Sequence, residues 1–194
     1  MAINPILPAL AFVGKQNSGK TTLLVKLVAE LDARGVRVGT IKHHSHSGFE
    51  FDVAGKDSWR HRQAGSRFTV IAAPDQIACV QEVRSGESPP LARILENMTV
   101  ASVDAETGEP GLDVVLVEGY RHSGLATVEL FRADNPNDAE RALGVEGNRI
   151  VAVVTDMPRI VAEAREGGYE VSRNIFSFDD ILLLADFVED FIRV

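Results

Sequence analysis

The chain is 194 residues long, 45% hydrophobic and 25% charged, with a formal net charge of -8; that length carries one good core, so a single domain over 1–194 is expected. The acidic balance argues against a nucleic-acid surface, which needs clustered lysine and arginine, and no apolar run approaches the roughly 20 residues of a membrane helix. A single cysteine, Cys79, excludes an internal disulfide and a cysteine-built zinc site, and residues 1–11 lack the basic flank and long apolar core of a signal peptide, so a cytoplasmic location is expected.

The first element is the apolar run "ILPALAFVG" (6–14), which reads as a strand ending in glycine. Residues 20–34 follow with Leu23, Leu24, Leu27, Val28 and Leu31 at helical spacing, and Gly35 is a natural helix stop. "GVRVGTIKHH" is a second strand, which makes a right-handed βαβ unit with parallel strands. Residues 45–57 are polar without a period and read as a long loop, followed by a helix at about 58–64. "RFTVIAAPDQIACVQEV" predicts two strands joined at Pro74-Asp75, with Cys79 as a core thiol. "SPPLARILENM" predicts a helix with proline near its first turn. "GLDVVLVEGY" lacks alternation, as a strand covered on both faces does. "ATVELFR" and "RIVAVVT" are further strands separated by a polar loop over 133–148, and "DDILLLADFVEDFI" is a closing helix. The expected fold is α/β with a mostly parallel sheet and an added β-hairpin.

Between the first strand and the first helix stands GxxxxGK[ST], at Gly14, Gly19, Lys20 and Thr21. A phosphate chain needs many donors converging at close range, so such a loop curls its backbone N–H groups inward, and glycines admit the approach. The helix N-terminus adds partial positive charge; Lys20 bridges the outer phosphates and the Thr21 hydroxyl is a Mg²⁺ ligand. Lys15 is an extra cation that reaches either phosphate or solvent. The carboxylate such a site requires at the end of a neighbouring strand is supplied by Glu118, after four apolar residues and before Gly119; Asp113, at the start of that strand, reads as a surface or capping residue.

The stretch "KHHSHSGFEFDVAGKDSW" follows the second strand, at the carboxyl end where ligands lie in open α/β sheets. Its candidates are His43, His44 and His46 for a transition metal, and Asp52, Lys56 and Asp57 for metal, phosphate or a partner.

In this order and spacing, "GKQNSGKTTLLVKLVAEL", "RGVRVGTIKHHSH", "DVAGKDSWRHRQAG", "DVVLVEGYRH", "VELFR", "VAVVTD" and "LADFVEDFI" resemble the molybdopterin-guanine dinucleotide biosynthesis protein B (MobB) family over nearly the whole chain. The resemblance implies a P-loop NTPase three-layer fold, usually dimeric, that binds GTP with Mg²⁺, hydrolyses it weakly at most, and assists the guanylyltransferase that joins GMP to molybdopterin. It implies that Gly14, Lys15, Gln16, Asn17, Ser18, Gly19, Lys20, Thr21 and Thr22 bind the phosphates and that Thr21 and Glu118 attend Mg²⁺. Asp52, Lys56 and Asp57 then line the nucleotide or pterin side, and Asp156 meets guanine, although the Asn-Lys-x-Asp guanine motif is absent. Arg121 and His122 either meet an anionic pterin phosphate or solvate their loop.

Two other readings stand beside it. A small-molecule kinase needs an acceptor pocket and a base, for which Asp52 and Asp57 are the candidates. A metallochaperone NTPase is suggested by the three histidines. In the nucleotide-hydrolysing reading Lys20, Glu118 and Asp52 are the catalytic candidates.

Overall fold

The computed structural model describes residues 7–44, 50–83, 89–104, 107–144, 149–166 and 170–193. The chain divides into two compact units, one of Met1–His43 with Leu91–Val194 and one of His44–Pro90.

The first unit is built on a parallel sheet. Its strands are β1 (Ala9–Val13), β2 (Val38–Lys42), β5 (Val114–Glu118), β6 (Ala126–Phe131), β7 (Arg149–Thr155) and the short β8 (Ile175–Phe176), in the order β2-β5-β1-β6-β7-β8. All five pairings are parallel. In β1 every residue is buried, yet alternate residues enter different cores, because successive side chains point to opposite sheet faces. Leu10 and Phe12 pack with Leu23, Leu27 and Leu31 of α1 (Lys20–Ala33) and Leu184 and Val188 of α5 (Ile181–Ile192). Ala9, Ala11 and Val13 pack with Val115, Val117 and Leu95, the last on α3 (Leu91–Ser102). Helices therefore cover both faces, which is why β1 and β5 read as unbroken apolar runs. The expected three-layer α/β fold is observed.

β1, α1 and β2 are parallel-connected as anticipated, but β1 and β2 are not neighbours: β5 lies between them. The sequence reading passed over α4 (Pro158–Glu166), which buries Ile160 and Ala164 against Phe131 and Val153. Ile160 and Ala164 are four apart, with Pro158 at the first helical position, a signal that was present but short. Among the described residues no helix is long and apolar enough to cross a membrane.

The second unit contains α2 (Asp57–Gln63) and the hairpin of β3 (Phe68–Ala72) and β4 (Ile77–Gln81), which pair antiparallel as a sheet of two strands. The turn falls at Pro74-Asp75, where Ala73 N–H donates to Gln76 O at 2.9 Å. The expectation of a buried Cys79 is overturned: the thiol is exposed. Cys79 is paired with Val70, and Ala72 with Ile77, on one face of the two-stranded sheet, where Val70 is 51% and Ile77 72% exposed. The apolar run makes a hairpin face, not a core strand.

Leu27 is fully buried at the α1–sheet contact. Leu27→Ala is expected to cost about 2–5 kcal/mol through lost transfer energy and the residual cavity, read as a lower urea midpoint with an unchanged slope.

Candidate functional site

The loop between β1 and α1 turns on two glycines. A Cβ on Gly14 would lie 2.5 Å from Ser18 Oγ and 3.0 Å from the Leu130 carbonyl, so only glycine fits that approach. Gly19, which precedes α1, has φ 82°, a left-handed conformation natural to glycine. Ser18 is fully buried, with its hydroxyl donating to Lys15 O at 2.7 Å. Lys20 folds back over the same loop, its Nζ donating to Gly14 O at 3.0 Å and Lys15 O at 2.7 Å. Burial holds the Lys20 ammonium below its ordinary pKa, while Glu118 pulls the other way. The intrahelical bond from Leu23 N–H to Gly19 O at 2.9 Å follows three helical residues, Lys20, Thr21 and Thr22, whose N–H groups have no partner in the helix. No side chain caps this end and no acidic residue lies in its first turn, so the donors and the positive helix end remain for an anion.

Beside the loop the structure brings Thr21 and Glu118 together. Thr21 Oγ1 donates to Glu118 Oε1 at 2.9 Å across 97 positions of sequence. The Lys42 ammonium, at the end of β2, lies 3.2 Å from Thr21 Oγ1 and 3.1 and 3.2 Å from the two Glu118 oxygens. β2 and β5 run in register with Lys42 opposite Glu118, which fixes this meeting. Three oxygens around a positive charge are the hard donors that suit Mg²⁺, so the implied metal fits Thr21 and Glu118. Among the described residues there is no group of three or more His, Cys, Asp or Glu side chains placed to hold a metal ion.

A buried polar network supports the loop from behind. Asn135 donates through Nδ2 to Gln16 O at 3.0 Å and to Asp138 Oδ2 at 2.8 Å. Asp138, fully buried, also accepts from Arg132 N–H at 3.2 Å and from Arg141 Nε at 2.9 Å. Arg141 continues to Glu129 Oε1 at 2.8 Å, to the Leu130 carbonyl, and over the Phe131 ring at 3.7 Å. Glu129, 1% exposed, takes Gly144 N–H at 2.9 Å as well. Burial is the largest influence on Glu129 and pushes its carboxyl above the ordinary value, against the pull of Gly144 and Arg141.

The other candidates fall in different places. Lys15 and Gln16 contribute their carbonyls, and Asn17 holds a positive φ of 66° within the loop. Asp156, after β7, accepts from Ala133 N–H at 2.6 Å and lies 4.0 Å from Arg132 Nε. Asp52, Lys56 and Asp57 belong to the second unit. There Asp52 accepts from Val53 N–H at 2.8 Å and Ser58 Oγ at 3.0 Å, and its other oxygen is buried 4.0 Å from Arg62. Lys56 precedes α2, and Asp57 at its first turn is exposed. The His43 and Tyr120 rings lie 4.5 Å apart, tilted by 44°, and the His43 backbone N–H donates to Glu118 O at 2.9 Å; His46 lies outside the described residues. Tyr120 and His122 hold positive φ values of 50° and 72°, backbone strain concentrated just after Glu118. Asp113 pairs with Arg37 at 2.5 Å, the surface role expected of it.

Sequence reasoning missed Lys42, Asn135, Asp138, Arg132 and Arg141. Lys42 stands in the quoted "IKHH", immediately before His43. The polar residues of 133–148 carried no periodic signal.

The model of the family described as molybdopterin guanine dinucleotide synthesis protein B matches residues 9–156. The molybdopterin-guanine dinucleotide biosynthesis adapter protein of Escherichia coli (strain K12) is 33% identical over 193 residues, covering 100% of this chain and 98% of the relative. The protein of the same description from Haemophilus influenzae (strain ATCC 51907 / DSM 11121 / KW20 / Rd) is 31% identical, over 98% and 93% of the two chains. Among solved structures, a molybdopterin-guanine biosynthesis protein B aligns with a TM-score of 0.66 at 27% identity, over 96% of this chain and 99% of its own. Bacillus subtilis MobB aligns with a TM-score of 0.69 at 24% identity, over 95% and 98%, a likeness of fold.

The Glu129 shift has a pH signature. A carboxyl whose pKa is raised on folding gives stability that is present below its unfolded value, about 4.5, and is lost as pH rises through the folded value. Urea unfolding across that range is expected to show wild-type stability falling with pH relative to Glu129→Gln; parallel curves would contradict the shift.

Proposed function

The chain belongs to the molybdopterin guanine dinucleotide synthesis protein B family, and from that premise we propose that it acts as an accessory protein of molybdopterin guanine dinucleotide biosynthesis, holding GTP with Mg²⁺ on residues 14–22. The observation that carries the nucleotide reading is the meeting of Thr21, Glu118 and Lys42 at the lip of the phosphate loop. Lys20 sits on the loop carbonyls, poised to turn toward the outer phosphates. Mg²⁺, when bound, supplies charge that neutralises those phosphates. Glu118 is engaged by both Thr21 and Lys42, which leaves it poorly placed to activate water, so slow hydrolysis in isolation is inferred. Asp156 offers a carboxylate oxygen to guanine N–H groups, while Asp52, Lys56 and Asp57 are proposed for the pterin or partner side.

The partner inferred is the guanylyltransferase that joins GMP to molybdopterin, in the cytoplasm. A second copy of this chain is inferred on the hairpin, whose face carries Phe68, Val70 and Ile77 at 57%, 51% and 72% exposure, an apolar patch of the kind that marks an interface.

Two measurements test this reading. Calorimetric titration with Mg²⁺ is expected to show GTP binding at least tenfold tighter than ATP, about 1.4 kcal/mol, and no binding to Lys20→Ala; equal affinities would remove the guanine assignment. In sedimentation analysis, placing lysine at both Val70 and Ile77 is expected to convert a dimer to a monomer, and an unchanged mass would move the interface elsewhere.

A further inference from the structure

Three strand ends converge beside Gly19 with chemistry that the phosphate loop does not use. Arg132 follows β6, Asp156 follows β7 and Phe178 follows β8. The Arg132 guanidinium lies over the Phe178 ring at 4.3 Å. Its ion-pair contact, to Asp156, is a loose 4.0 Å, and its side chain is 37% exposed. A long cationic side chain ordinarily keeps its rotamer freedom in water; this one is held over an aromatic ring while staying partly exposed. The plane also touches the loop: a Cβ on Gly19 would stand 3.1 Å from Arg132 Nη1 and 3.3 Å from Phe178 Cε1.

Gly19 is where the phosphate loop becomes α1, so a nucleoside leaving the loop on the β6, β7 and β8 side passes this plane. The carboxyl ends of those strands are where ligands lie in such sheets. A fixed guanidinium backed by an aromatic ring presents a flat cation to the π face of a base, and such stacking is tolerant of base identity. Asp156 stands next to it, with one carboxylate oxygen 4.0 Å from Arg132 Nε and the other accepting from Ala133 N–H.

We propose that Arg132, backed by Phe178, is the platform on which the purine base of the bound nucleotide stacks. The inference rests on residues 14–22 holding the phosphates, and the test separates the two. Affinities of wild type, Arg132→Ala and Arg132→Lys for GTP, GDP and inorganic tripolyphosphate, each with Mg²⁺, are compared after thermal melting confirms that the variants fold. Arg132→Ala is expected to weaken GTP and GDP each about tenfold and to leave tripolyphosphate binding as in wild type. Arg132→Lys, which keeps the charge and loses the plane, is expected to follow the alanine variant. With the aminopurine riboside triphosphate as probe, stacking quenches fluorescence in wild type, and the quench is lost in both variants and in Phe178→Leu. Equal loss for tripolyphosphate, or full retention by Arg132→Lys, makes Arg132 a phosphate or charge contact and overturns the platform. Undiminished GTP affinity and quenching in Arg132→Ala overturns it outright. Failure of wild type to bind tripolyphosphate and GTP alike removes the phosphate-loop reading, and the platform with it.

Discussion

The hydrogen bond from Asn135 to the Gln16 carbonyl is the constraint on which the rest of the site depends. A loop that aims its N–H groups at a ligand must turn carbonyls elsewhere, and the buried Asn135 donates to that of Gln16. Asn135 is fixed in turn by Asp138, and the buried Asp138 is met by Arg141 and by the Arg132 backbone N–H. Arg141 in turn is held by Glu129 and by the Phe131 ring. The chain of partners runs from the ligand side of the molecule into its core. Removing one member leaves the next with an uncompensated charge, which is far more damaging than losing an exposed ion pair. The phosphate loop is short, but what keeps its shape is a set of side chains more than a hundred residues downstream.

The elements legible from sequence were those whose signal is local. Residues 9–33 spell strand, loop and helix without help from the rest of the chain, since burial on both faces makes β1 wholly apolar and α1 repeats its leucines at helical spacing. Glu118 was also legible, as a charge that ends an apolar run. Lys42 was not, because its role arises from the register that sets β2 against β5, and register is invisible in one strand. Asn135 and Asp138 sit in a polar stretch whose composition says loop and nothing about burial. Cys79 was misjudged for the opposite reason. Its neighbours are apolar, but a two-stranded sheet cannot cover both of its faces, so composition suggested a core where the fold made a surface. The contact of Arg132 with Phe178 lay beyond reach for the same reason as Lys42: Arg132 closes the legible run "VELFR", but Phe178 lies far downstream, and the two meet only once β6 and β8 stand in one sheet.

The order of strands has a consequence for how the molecule is made. β1 leaves the ribosome together with the whole phosphate loop, about a hundred residues ahead of its two hydrogen-bonded neighbours, which begin at Val114 and Ala126. Until more than half of the chain has been synthesised, the most apolar strand has no edge to pair with, and α1 has an incomplete sheet to rest on. Pairings this distant in sequence are slow to form, because loop closure must precede any contact that rewards it. The nascent protein therefore exposes the strand "ALAFV" for much of its synthesis, and its glycine-rich turn acquires the geometry of an anion site only when residues from the far half of the chain arrive. A nucleotide can meet a finished site only after Asn135, Asp138 and Arg141 have followed the loop out.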